Sequence, residues 1–267
     1  MNVVHAVIAF TSIGAACAII LVLASKFMAV KVDERIARLS EALPGANCGA
    51  CGFSGCDAYA HALVYSSAPP NACPPGGAST MRAISEILGI DGAEMIVERP
   101  VIYCSGDKLA RQLKMDYAGI ETCIAAKQLF GGRNACAYGC IGFGDCLAAC
   151  ASEALCLDSG LPQLDQDKCT GCKLCAKACP NGIIVMEEAG KAAVVACLNT
   201  EKGAVVRKKC SSGCIACTKC VKECPKGAIE MADNLARINR EKCDGCGKCV
   251  DVCIAKCIKM IAPHPAA

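Results

Sequence analysis

The spacing of apolar and polar positions changes several times along the chain. Residues 3–25 contain no Asp, Glu, Lys or Arg. As a helix rising 1.5 Å per residue they reach roughly 34 Å, enough for a hydrocarbon core of about 30 Å. The pattern predicts a transmembrane helix over 1–26, with His5 near one end. A cleaved signal peptide fits less well: no basic segment leads the run, the run is long, and no small-residue cleavage site follows. Lys26, Lys31, Arg35 and Arg38 come next, while only Met1 and Asn2 precede. Basic residues stay on the cytoplasmic side. The expectation is a single-pass protein of the cell (inner) membrane, with the bulk of the chain cytoplasmic.

Beyond the apolar run the period becomes helical. In 33–43, Ile36, Leu39 and Leu43 share one face, and Pro44-Gly45 ends the segment. A second helix is expected over 57–66, with Pro69-Pro70 turning the chain back. The stretch 91–130 is weaker: a strand over 98–104 and helices over 109–115 and 124–130. Further on, 182–186, 193–196 and 228–231 read as short strands. The fold class expected is α+β. It comprises one transmembrane helix, a small four-cysteine domain (33–90), a linker domain (91–130) and two ferredoxin-like modules (131–190 and 205–262).

Cysteine supplies the chemistry: 27 of the 267 residues. A reducing cytoplasm disfavours disulfides, so metal ligation and free thiols are the expected fates. Cys48, Cys51, Cys56 and Cys73 are spaced C-x2-C-x4-C-x16-C. Glycines between the first three let the backbone curl around a cuboidal cluster and aim N–H groups at its sulfurs. Zinc sites usually set two close cysteines against a distant pair. Three cysteines within nine residues plus one distant cysteine fit [4Fe-4S] better. His61 is expected on the helix surface, since four cysteines suffice.

The C-terminal half carries the strongest pattern. Cys169-x2-Cys172-x2-Cys175-x3-Cys179-Pro180 is the run of bacterial two-cluster ferredoxins. Cys214, Cys217, Cys220 and Cys224-Pro225 repeat it, as do Cys243, Cys246, Cys249 and Cys253, where Ile254 replaces Pro. A disguised run, Cys136-x3-Cys140-x5-Cys146-x3-Cys150, emerges when the chain is slid by 74 residues. Eight cysteines from Cys136 to Cys179 then land on eight from Cys210 to Cys253, so one two-cluster module occurs twice. In such modules the fourth cysteine of each run serves the other cluster. The expected sets are Cys136, Cys140, Cys146 and Cys179; Cys150, Cys169, Cys172 and Cys175; Cys224, Cys243, Cys246 and Cys249; and Cys253 with three of Cys210, Cys214, Cys217 and Cys220. Two-residue gaps favour Cys214, Cys217 and Cys220. Phe143 stands where Cys217 would fall, so Cys136 is expected to substitute there. About five [4Fe-4S] clusters result. Cys104 and Cys123 lack close cysteine neighbours and are expected to pack as small apolar thiols; the alternative, ligands of an additional centre, stays open. Cys17, Cys156, Cys197 and Cys257 have no assigned role.

The formal charge is +3. Twenty thiolates and five [4Fe-4S]²⁺ cores would bring it to about −7, because the metal's charge counts. From Leu161 onward 17 Lys/Arg face 11 Asp/Glu, a surplus that offsets cluster charge and suits either an acidic redox partner or a solvated surface with no docking role. No basic footprint for nucleic acid is indicated. There is no nucleotide-binding glycine motif between strand and helix, no phosphate loop and no Ser–His–Asp pattern. Catalytic residues are therefore expected to be none, and the work expected is single-electron transfer.

An apolar anchor, Cys48-Gly-Ala-Cys51-Gly-Phe-Ser-Gly-Cys56 and the Tyr138-Gly-Cys140-Ile-Gly-Phe-Gly-Asp-Cys146 run follow in that order. In this the chain resembles the B-type subunit of the Rnf electron-transport complex, over nearly its whole length. The resemblance implies a membrane complex with five other subunits. It also implies electron transfer between soluble ferredoxin and NAD⁺, coupled by partner subunits to Na⁺ or H⁺ translocation. Shorter members carry one ferredoxin module, so the second would extend the wire. Two competing expectations are a membrane-anchored polyferredoxin serving a hydrogenase or other dehydrogenase, and an assembly or sensor protein that only holds clusters.

Overall fold

The computed structural model describes residues 2–27, 33–90, 98–188, 190 and 192–261. The expected linker boundary at 91–97 lies outside the described residues. Helix α1 (Asn2–Phe27) takes up the apolar run and exposes apolar side chains from Val7 to Leu23. Among the described residues no helix is long and apolar enough to cross a membrane. The side chains at positions 2–4, 6 and 9, within the apolar start of α1, are not among those described.

Three helices form the next module. α2 (Glu34–Ala42) starts where Asp33 accepts the Arg35 amide at 2.9 Å, a side-chain cap that satisfies an otherwise unpaired donor. α3 (Cys56–Tyr65) and α4 (Gly77–Leu88) pack against it. Leu39, Tyr59 and Ile84 are fully buried at the centre. Helix α4 went unforeseen, although Met81, Ile84 and Leu88 carry its spacing. His61 lies exposed on α3, its ring stacked 6.1 Å from that of Tyr65.

The remaining elements are short. In order they are β1 (Glu98–Ile102), α5 (Cys123–Gln128), α6 (Asp145–Ala148), β2 (Leu155–Asp158), β3 (Leu161–Leu164), α7 (Leu174–Ala178) and β4 (Ile184–Glu188). Then come β5 (Ala192–Val195), α8 (Gly203–Lys209), α9 (Lys219–Glu223), β6 (Ile229–Ala232), β7 (Leu235–Ile238), α10 (Lys248–Asp251) and β8 (Ile258–Ile261). Each module pairs an inner hairpin, β2–β3 or β6–β7, with an antiparallel pair of distant strands, β1–β4 or β5–β8. Chains this short bury little aliphatic surface, and cysteines fill much of both cores.

The period of 74 holds for the inner hairpins, for α6 with α9, α7 with α10, and β4 with β8. It fails for the outer strands. Ile102 pairs with Ile184, and Val195 with Ile258. The Tyr103 amide then donates to Ile183 O, and the Ala196 amide to Cys257 O, both at 2.7 Å. By this register Cys104 matches Cys197, an offset of 93 residues. The first module therefore carries 19 extra residues between Cys104 and Cys136, and α5 belongs to them.

The helix expected over 109–115 does not form. Asp107 Oδ1 accepts the Leu109 and Ala110 amides and tightens a turn. The segment then donates and accepts across the chain: Gln112 N to Lys209 O at 2.9 Å, Ala135 N to Gln112 O at 2.8 Å and Ser211 N to Ala110 O at 2.9 Å. These partners outcompete a local helical ladder. Arg111 is buried in the process, its guanidinium donating to Cys140 O at 2.8 Å.

Candidate iron-sulfur sites

The N-terminal site is built on a loop between α2 and α3. Gly49 (φ 67°) and Gly52 (φ 88°) adopt the left-handed conformation that a tight curl around a metal core requires. Asn47 Oδ1 accepts the Cys56 amide at 2.8 Å and closes the loop. Cys73 returns on a segment pinned by Tyr59, whose hydroxyl donates to Pro69 O at 2.6 Å and accepts from Ala72 N at 3.3 Å. Burial pushes the Cys73 thiol up, the Gly76 amide opposes this, and the nearby Cys51, Cys56 and Cys48 sulfurs push it further up. The loop thus brings Cys48, Cys51 and Cys56 close to Cys73.

Cys150, Cys169, Cys172 and Cys175 form a second group. Burial is the main force raising the Cys169 and Cys175 thiols; Cys169 also feels Cys172 and Cys150, and Cys175 feels Cys169, Cys172 and Cys150. At Cys150 burial is outweighed by the Ser152 hydroxyl and by amides that include Ala154 at 3.3 Å, so its thiol lies low. Cys224, Cys243, Cys246 and Cys249 line one cavity of the second module. Cys214, Cys217, Cys220 and Cys253 line its other cavity. Cys257, buried, enters the same cavity, its Sγ 3.6 Å from that of Cys253.

The first module departs from expectation. Its remaining cavity is lined by Cys123, Cys140, Cys146 and Cys179. Cys136, expected with Cys140, Cys146 and Cys179, is not among them. Cys123 takes the place, carried by the extra residues at the start of α5. Asp145 holds it there, accepting the Cys123 amide at 2.7 Å and that of Ile124 at 3.0 Å. Phe143, at the position of Cys217, turns instead to Tyr117 and Arg133. The one signal for Cys123 was its position just before an expected helix. Cys136 lines a different cavity, with Cys104, Cys197 and Cys210.

A left-handed residue precedes α6, α7, α9 and α10: Gly144, Lys173, Thr218 and Gly247. For Lys173 and Thr218 this costs about 1–2 kcal/mol, tolerated where the loop must wrap the site. No group of three His, Cys, Asp or Glu among the described residues converges as a single metal ion would require. A cuboidal cluster binds each thiolate to a different iron and so does not require that convergence.

Paired antiparallel strands, one-turn helices and four-cysteine cavities define an iron–sulfur protein of the ferredoxin type, with several sites in one chain. Family models agree. An Fe-S cluster model matches 43–75, a 4Fe-4S binding domain matches 162–185 and a 4Fe-4S dicluster domain matches 205–254. The B-type subunit of the Na⁺-translocating ferredoxin:NAD⁺ oxidoreductase complex of Acetobacterium woodii is 40% identical, over 89% of this chain and 72% of its own length. The B-type subunit of the ion-translocating oxidoreductase complex of Methanosarcina acetivorans is 39% identical, over 96% of this chain and 98% of its own. The proton-translocating counterpart of Clostridium ljungdahlii is 37% identical, over 96% and 90%. The chain belongs to the family of B-type subunits of ion-translocating (Rnf) oxidoreductase complexes.

Proposed function

We propose that the chain is the electron-carrying subunit of a membrane complex that couples electron transfer between ferredoxin and NAD to translocation of Na⁺ or H⁺. The observation that carries this is the series of four-cysteine sets in a chain of this family. The ligand sets are Cys48, Cys51, Cys56 and Cys73; Cys150, Cys169, Cys172 and Cys175; Cys123, Cys140, Cys146 and Cys179; Cys214, Cys217, Cys220 and Cys253; and Cys224, Cys243, Cys246 and Cys249. A [4Fe-4S] cluster supplies a one-electron carrier at each. The protein's residues space the carriers, hydrogen-bond their sulfurs and exclude water, which sets the potentials. It contributes no substrate-converting side chain.

Helix α1 is the proposed anchor. Most of its described side chains are apolar and exposed, Val7 to Leu23 among them, as in a helix surrounded by lipid. Lys26 closes it, and Arg35 and Arg38 follow on α2, which supports a cytoplasmic side for the cluster-bearing part. Soluble ferredoxin is the proposed electron partner, met by the cationic surplus of the C-terminal half. One relative is named for Na⁺ and another for protons at nearly equal identity, so the coupling ion is assigned to the partner subunits.

Anaerobic purification of the chain from its native membrane in mild detergent tests this reading. Flavoprotein and multi-span subunits are expected to accompany it, with ferredoxin-dependent NAD⁺ reduction. Co-purifying hydrogenase subunits without that activity would overturn it.

A further inference from the structure

We propose that Cys104, Cys136, Cys197 and Cys210 hold a sixth [4Fe-4S] cluster, set between the two ferredoxin modules. The site has internal symmetry. Cys104 and Cys197 each stand just past the outer strand of a module, one residue beyond the matching 2.7 Å bonds of Tyr103 and Ala196. Cys136 and Cys210 are mates in the 74-residue repeat. Each module thus supplies two cysteines, and neither holds the site alone. Chain and space disagree about the pairing. The offset of 74 equates Cys197 with Cys123, whereas strand register equates it with Cys104.

Every sulfur of the set receives an N–H group. Cys140 N donates to Cys104 Sγ, and Cys214 N to Cys197 Sγ, each at 3.4 Å. Asn199 is almost wholly buried, and its Nδ2 donates to Cys136 Sγ at 3.5 Å. Further amides reach Cys104 from Gly106, Cys197 from Asn199 and Cys210 from Ser212. Such donors stabilise the negative charge of thiolates bound to iron.

The space fits as well. The cavity encloses about 310 Å³ with its solvent mouth, beside 330, 370 and 380 Å³ at three of the ferredoxin sites. A glycine stands where a side chain would intrude: a methyl group on Gly106 would lie 2.9 Å from Cys210 Sγ. The four sulfurs do not converge as they would on one zinc ion.

Position gives the site its role. Cys140 and Cys214 are proposed ligands of the two flanking clusters, and each gives its amide to a sulfur of this one. One electron arrives from the cluster of the first module and leaves to that of the second, or the reverse. No bond or proton moves. The electron route rests on the proposed function above, whereas occupancy of the site does not.

The test is iron, sulfide and zinc analysis of the full chain, purified anaerobically, with a reductive titration. About 24 irons and six electrons per chain are expected. Cys104→Ala and Cys210→Ala should each lose about four irons and one electron. Cys156→Ala, exposed on β2 and outside every set, should lose none. About 20 irons in the wild type, unchanged by Cys104→Ala, would overturn the sixth site and leave the other five intact. A stoichiometric zinc removed by Cys104→Ala would overturn it too. Should these variants misfold, the wild-type count still decides.

Discussion

Cys257 shows how one side chain can separate two otherwise matching sites. Ile183 holds its place in the first module, buried and apolar. In the second, a hydrogen bond from Cys257 holds the thiols of Cys253 and Cys214 below the usual range, while Cys257 itself stays high and protonated. A donor to ligand sulfurs favours the more negative, reduced cluster. Cys257→Val should lower the potential of that cluster by about 30–60 mV, near a tenfold change in a one-electron equilibrium, with iron content unchanged. An EPR-monitored redox titration would read this, and an unmoved potential would leave Cys257 a packing residue. Other ligands titrate the opposite way. Burial pushes the thiols of Cys140 and Cys175 up to about 12, and those of Cys146 and Cys220 up to about 11. A raised pKa stabilises the cluster-free fold below the ordinary value of 9.0, and that contribution is lost as pH rises through 11–12. A cluster needs thiolates, so each such thiol releases a proton on loading. Reconstitution should therefore strengthen between pH 6.5 and 8.5, by up to about tenfold per unit for each thiol. A flat profile of iron uptake would count against these buried ligands.

Among the elements, the short helices serve as ligand carriers more than as core builders. α8 is the exception: it braces a cluster loop. A methyl group on Gly203 would lie 2.1 Å from the backbone oxygen of Ile215, between Cys214 and Cys217. Backbone cannot yield as a side chain does, so Gly203→Ala should cost about 1–3 kcal/mol. It should also loosen the cluster of that loop, seen as earlier thermal bleaching of its visible absorbance. Bleaching at the wild-type temperature would mean that the loop moves freely. The outer strands were legible because β-branched and apolar residues cluster in them, as in Val194-Val195. The absence of a helix at 109–115 was not, because its backbone groups find partners about a hundred residues away: the Gln112 amide donates to Lys209 O, and Ala110 O accepts from the Ser211 amide.

For the whole molecule, the sites form a series. The N-terminal module abuts the first ferredoxin module at Gly171, where a methyl group would lie 3.7 Å from Pro74, next to Cys73. Lys173 and Glu98 pair nearby. The proposed sixth site joins the first module to the second, and α1 lies at the opposite end of the chain. Deleting residues 1–27 should move the protein from the membrane to the soluble fraction without changing iron per chain. Retention in washed membranes would show that partner subunits suffice to hold it.

The type of chemistry was written in the chain, because a cluster demands cysteines at fixed short gaps within one loop. Fifteen or more such ligands follow from local spacing alone, as in Cys169-x2-Cys172-x2-Cys175. Cys123, Cys136 and the partners of Cys104 were beyond spacing. Their groupings depend on which strands pair and on an insertion that shifts one copy of the repeat by 19 residues. A sulfur that reaches its site from a distant segment leaves no period in the sequence. Only the register of β1–β4 and β5–β8 brought Cys104 and Cys197 to one cavity, while Asp145 set Cys123 in another.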